Sequence, residues 1–155
     1  MRIAFDARYI NDRYHGIGRY AFRLLEALAA LSRANHPEHT FIVFRSSAPD
    51  SRFDWQPLLA AGNVQVQPGP RSLYLPGEQL AWAHLLRRHA VDLFYSPYFV
   101  APLLAPRRLP VVVTVYDLIA LRFPAWCRPA NRINYALLLP PSVRNAIFLL
   151  ALVGF

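Results

Sequence analysis

The sequence predicts an α/β domain built on a parallel sheet with helices on both faces. Three observations carry that prediction. Short, near-continuous apolar runs stop at Pro, Gly or Asp; amphipathic stretches lie between them; and strand-helix-strand passages occur twice in succession. A chain of 155 residues is long enough for one domain with its own core.

The first run, Arg2 to Ala7, suits a buried strand at the very start of the chain. From Ile17 onward, Tyr20, Ala21, Leu24, Leu25, Leu28 and Leu31 recur at three- and four-residue steps, while Arg19, Arg23 and Glu26 fall off that stripe. This spacing predicts an amphipathic helix of about fourteen residues. Thr40 to Ser46 is β-branched and aromatic and reads as a second strand, ended by Pro49 and Asp50. Asn63 to Gly69 alternates apolar and polar residues up to Pro-Gly, the pattern of a half-exposed third strand. A helix is expected over Gly77 to His89, a fourth strand over Val91 to Tyr95, and a fifth over Leu109 to Leu118. The last apolar run, Ala146 to Val153, falls far short of the roughly twenty residues a membrane helix needs. It is expected to pack as a strand or helix end, or else to be the exposed apolar end of an incomplete protein.

Composition narrows the function classes. Hydrophobic residues make up 55% of the chain and charged residues 17%, which excludes disorder driven by low hydrophobicity and high charge. The net charge of +8 raises nucleic acid as a partner, but the basic residues are all Arg and are scattered, with no basic stripe interleaved by aromatics. No nucleic-acid role is expected, although the guanidinium groups favour an anion somewhere. One cysteine, Cys127, cannot form an intramolecular disulfide, and no Cys/His spacing resembles a zinc site. The amino-terminal residues lack the apolar core of a signal peptide, so a cytoplasmic protein with at most peripheral membrane contact is expected.

In a sheet of this kind ligands collect at the carboxyl ends of the strands, where Asp6 to Gly18, Ser96 to Tyr98, and Tyr116-Asp117 all fall. Gly16 and Gly18 follow a strand and open a helix. By themselves they fit a phosphate-holding loop and a tight turn equally well. A dinucleotide fingerprint would place a third glycine at position 21, which is Ala21, and an acidic residue after the second strand, where Arg45 stands. Asp6 and Asp117 suit a general base or, more commonly, a cap. Of the five histidines only His15 is near this edge; His36, His39, His84 and His89 read as solvated. No Gly-x-Ser-x-Gly nucleophile elbow occurs.

"MRIAFDARYI…GIGRYAFRLLEAL", "VDLFYSPYFVAPLL" and "LPVVVTVYDLIALRFP" in series resemble the N-terminal domain of family 4 glycosyltransferases, the retaining enzymes of the GT-B fold. The likeness runs from Met1 to about Pro124 and weakens after Arg132. It implies a Rossmann-like acceptor-side domain over residues 1–132, with 133–155 a divergent apolar tail of the same domain. It also implies transfer of a hexose, with mannose one candidate, from a GDP- or UDP-linked sugar to a glycan or lipid-linked acceptor, with no cofactor or metal. On that likeness, Gly16, Ile17 and Gly18 approach the donor diphosphate. Arg8, Ser96 and Tyr98 line the acceptor side, and Tyr116 and Asp117 stand at the catalytic position. Tyr116 and Tyr95 occupy places where the family commonly has His, so a role needing an imidazole is not carried over. The second Rossmann domain, with its Glu-x7-Glu motif, is not in this sequence. The expectation is therefore half of a cleft, inactive alone, from a truncated product or a subunit that meets its other half on a separate chain. The alternative is a non-catalytic binding or partner-docking module.

Overall fold

The computed structural model describes residues 1–71, 76–106 and 108–151. Six parallel strands form one sheet: β1 (Arg2–Asp6), β2 (Thr40–Arg45), β3 (Val64–Pro68), β4 (Leu93–Ser96), β5 (Val111–Val115) and β6 (Phe148–Ala151). Between and after them lie α1 (His15–Asn35), α2 (Gln56–Ala60), α3 (Pro76–Arg88), α4 (Ile119–Arg122) and α5 (Pro129–Asn145), with a single 3-10 turn at Pro124–Trp126. The strand order is β3-β2-β1-β4-β5-β6, a Rossmann-like arrangement in which the winding reverses between β1 and β4.

Strand alternation divides the core into two layers, one on each side of the sheet. Phe5, Phe41, Val43 and Tyr95 pack with Ala21, Phe22, Leu25 and Ala29 of α1 and with Trp55 and Leu58 at α2. Their sequence neighbours Ala4, Ile42, Phe44 and Phe94 point the other way, onto Trp82 and Leu86 of α3. Trp82 meets Phe44 and Phe94 edge-on, with ring centroids 5.1 and 4.9 Å away. Each such fully buried aromatic contributes about 2–3 kcal/mol of burial energy. Both faces are covered, so the strands are apolar on both sides, as the sequence pattern requires.

All five expected strands are present, with ends displaced by up to three residues. The first helix is longer than its apolar stripe suggests, running for 21 residues from His15, so both glycines belong to its first turns. The helix read as Gly77 to His89 is found at Pro76–Arg88. The short α2 and α4 have no periodic signal and were not anticipated. The apolar tail divides in two: α5 passes through residues 132 and 133 without a break and carries Pro140 and Pro141 near its end, and β6 then pairs with β5. The register Val113↔Leu149 and Val115↔Ala151 places Phe148–Ala151 of this tail in the sheet; the rest of the expected run, 152–153, lies outside the described residues. Phe148 and Leu150 remain exposed there. None of the helices among the described residues is long and apolar enough to cross a membrane.

Candidate functional site

The reversal between β1 and β4 sends their following connections to opposite faces and opens a crevice at the carboxyl edge of the sheet. Most of the residues singled out in the sequence converge there. Tyr14 and Tyr20 bracket the glycines of α1. A relay of rings crosses the edge between them: Tyr14 to Tyr9 at 5.1 Å, Tyr9 to Tyr98 at 4.5 Å, Tyr98 to Tyr116 at 6.4 Å, and Tyr116 to Tyr20 at 5.5 Å. The connections after β1, β4 and β5 and the start of α1 therefore share one aromatic wall. Tyr9, Tyr14 and Tyr20 were not singled out in the sequence, since nothing local distinguishes a site tyrosine from a core one.

The glycines have different structural reasons. A Cβ at position 18 would stand 2.7 Å from the Tyr9 carbonyl oxygen, so only glycine lets α1 lie this close to the turn after β1. A Cβ at position 16 would meet nothing within 4 Å, and Gly16 is exposed. Tyr14 at the N-cap makes no side-chain cap, and no acidic residue occupies the first turn. The first intrahelical bond of this turn comes from Gly18 N–H to Tyr14 O at 2.8 Å. The amide groups of His15, Gly16 and Ile17 precede it, at the positive end of a long helix. That end suits an anion.

Arg8 is committed to the scaffold. It is 2% exposed, grips Asp6 through Nε at 2.8 Å and Nη2 at 2.7 Å, and reaches Glu78 of α3 through Nη1 at 2.6 Å. Its guanidinium also lies over the Trp82 ring. Burial alone would lower its pKa; the two carboxylates outweigh burial and hold it above its ordinary value. Arg8 thus ties the connection after β1 to α3 and sits beneath the crevice. Asp6 is its partner.

Ser96 ends β4 fully buried, and its Oγ has no hydrogen-bond partner among the described residues. The Tyr116 hydroxyl is likewise buried without a partner among them. Burial, with Tyr20 adding to it, raises the Tyr116 pKa, so the phenol stays protonated and able to donate across the working pH range. Asp117 holds a turn: its Oδ1 accepts the Ile119 N–H at 2.9 Å, just before α4, whose N-cap is Leu118. Tyr95 packs into the α1 layer, where its hydroxyl meets Thr114 Oγ1 at 2.7 Å and lies near Tyr20 and Tyr116 of the aromatic wall.

Beside the first turn of α1 lies a shallow cleft of about 520 Å³ lined by His15, Arg19, Arg23, Glu26, Arg52 and Asp54, among others. Arg52 anchors it, binding Asp12 Oδ1 at 3.1 Å and contacting His15 Nδ1. Desolvation works to raise the Asp12 pKa, but hydrogen bonds from Ser51 and Arg52 lower it overall. The grouping of Arg52 with Asp12 and His15 across distant segments leaves no trace in any local motif. His36, Glu38 and His39, the one cluster of metal-ligating groups among the described residues, lies before β2 at the opposite end of the sheet.

Comparison with known proteins adds no relative: the chain matches no family model, and none of the curated proteins matches it at a significant level.

Proposed function

We propose that this chain is the N-terminal, acceptor-side half of a retaining GT-B glycosyltransferase. It would move a sugar from a GDP- or UDP-linked donor to a glycan or lipid-linked acceptor, and would be inactive until a second Rossmann domain completes the cleft. The observation that carries the reading is the winding reversal between β1 and β4, with an uncapped α1 N-terminus on one side and Ser96 on the other. The amides of His15, Gly16 and Ile17 would face the donor diphosphate. The half-buried faces of Tyr98 and Tyr116 would hold the acceptor, and the Ser96 and Tyr116 hydroxyls would donate to sugar oxygens. Only the completed, water-poor cleft would strengthen these contacts enough for transfer.

Calorimetric titration with UDP-glucose and GDP-mannose tests the reading. Weak, saturable binding that strengthens, with sugar turnover, when a second Rossmann domain is added supports it. No binding alone and no turnover on mixing sinks it.

A second reading, a non-catalytic docking module, is favoured by one specific feature. Trp126, Leu137 and Phe148 are 78%, 66% and 67% exposed on the side formed by the 3-10 turn, α5 and β6. Partner binding without any sugar-nucleotide affinity would select this reading over the first.

A further inference from the structure

We infer that His36, Glu38 and His39 form a surface site for a divalent transition-metal ion of the zinc class. The three residues sit on the tight turn between α1 and β2, far from the glycine crevice, so the inference does not rest on the function proposed above.

The backbone brings these groups together and holds them. Pro37 cannot continue α1, and the chain turns so that His39 N–H donates to His36 O at 2.9 Å. His36 is fixed from behind as well: its N–H donates to Ser32 O at 2.7 Å, and Ser32 Oγ donates to His36 O at 3.1 Å. The two imidazoles stack, with centroids 4.9 Å apart and planes 16° from parallel. Glu38 Oε1 lies 3.6 Å from His36 Nδ1 and 3.2 Å from His39 Nε2. Ligand atoms about 2.0–2.1 Å from a tetrahedral zinc stand roughly 3.4 Å apart, so these two spacings are already those of zinc ligands. One ligand atom from each residue lies within 4.8 Å of the other two; because an imidazole binds a metal through a lone pair in its own ring plane, the two stacked rings would turn out of parallel to share the ion.

Electrostatics favours a cation here. His36 caps the carboxyl end of a 21-residue helix, where the last carbonyls present a partial negative charge. Glu38 adds a full one beside both imidazoles. The neighbouring positive groups are Arg33, in the last helical turn, and the Met1 ammonium, which the Glu38 carboxylate senses. Arg33 points its Nη1 toward Asn63 Oδ1 at 3.4 Å. Imidazole and carboxylate together suit zinc, nickel or copper better than calcium or magnesium. Bound there, the ion would pin the end of α1 to the start of β2, leaving at least one coordination position to solvent.

The test is titration of untagged protein with ZnCl2, alongside His36→Ala, His39→Ala and Glu38→Gln. One zinc per chain is expected, with an upward shift in Tm on binding, affinity reduced at least tenfold in either His variant, and a smaller loss in Glu38→Gln. Because these side chains are at the surface, the metal-free variants should unfold within a degree or two of the parent, which separates ligand loss from misfolding. Absence of saturable zinc binding, or unchanged stoichiometry and affinity in the His36→Ala/His39→Ala double variant, overturns the site.

Discussion

Arg8 Nη1 and Glu78 Oε1 meet at 2.6 Å, joining the connection after β1 to the first turn of α3 beneath the crevice. The same guanidinium binds Asp6 through two further nitrogens, so one cation neutralises two buried carboxylates. Its removal would leave both carboxylates buried without a counter-charge. Arg8→Met is therefore expected to lose about 3–5 kcal/mol of stability, read by urea denaturation. A loss below ~1 kcal/mol would mean that the carboxylates find water or protonate at little cost.

Glu78 also sets a pH dependence. Burial raises its pKa above the ordinary 4.5, despite the opposing effect of Arg8, and its Oε2 has no partner among the described residues. A carboxyl whose folded pKa is raised stabilises the fold in its protonated form. That contribution is complete below 4.5 and is lost as pH rises through the elevated folded value. Glu78→Gln keeps a neutral group at this position at every pH. Compared with the parent, it should lose the part of the stability decline that sets in as pH rises above 4.5, measured as Tm against pH. Parallel curves for the two proteins would show that Glu78 titrates normally.

The two glycines of α1 should respond in opposite ways to the same substitution. Alanine at position 18 would press its Cβ to 2.7 Å from a backbone oxygen that already accepts from Asn11 N–H at 3.0 Å and cannot retreat cheaply. Gly18→Ala is expected to cost about 1–3 kcal/mol. Gly16→Ala meets open space in a helical turn and should be neutral or stabilising by up to ~1 kcal/mol. Its methyl nevertheless enters the mouth of the amide cluster, so under the proposed function sugar-nucleotide affinity should fall roughly tenfold, about 1.4 kcal/mol. Equal stability losses at the two positions would contradict the close approach at Gly18.

These features differ in how far they can be read without coordinates. The strands were legible because runs such as Leu109 to Leu118 are apolar on both faces, which a parallel sheet buried on both sides demands. The gathering of chain breakers and polar residues at the carboxyl edge of the strands was legible, whereas the turn that Asp117 holds through the Ile119 N–H was not told apart from a general base. Whether Gly16 and Gly18 form a loop or a helix start was not, because the clash that decides it involves the Tyr9 carbonyl. Arg8 was placed at the cleft by its position after β1, but its partner Glu78 lies on another element, and only the packing of α3 shows that the charge is already used. His36 and His39 look solvated one at a time; the proline turn makes them neighbours.

Ser96 and Tyr116 offer the most direct test of the crevice. Both hydroxyls are buried and without a partner among the described residues, a state that costs on the order of 1–3 kcal/mol for a polar group. If they served the fold, removing them would destabilise it. Lacking partners, Ser96→Ala and Tyr116→Phe should leave stability unchanged or raise it by up to ~1 kcal/mol, because each deletes a desolvated hydroxyl while keeping the surrounding packing. A ligand in the crevice reverses the balance, since it would supply the missing acceptors. Under the proposed function each variant should then bind sugar nucleotide or acceptor several-fold more weakly while melting at the same temperature or higher. Gain of stability with loss of affinity is the signature of groups held in reserve for a ligand. Stability gain with affinity unchanged would assign both hydroxyls to imperfect packing and remove them from the site.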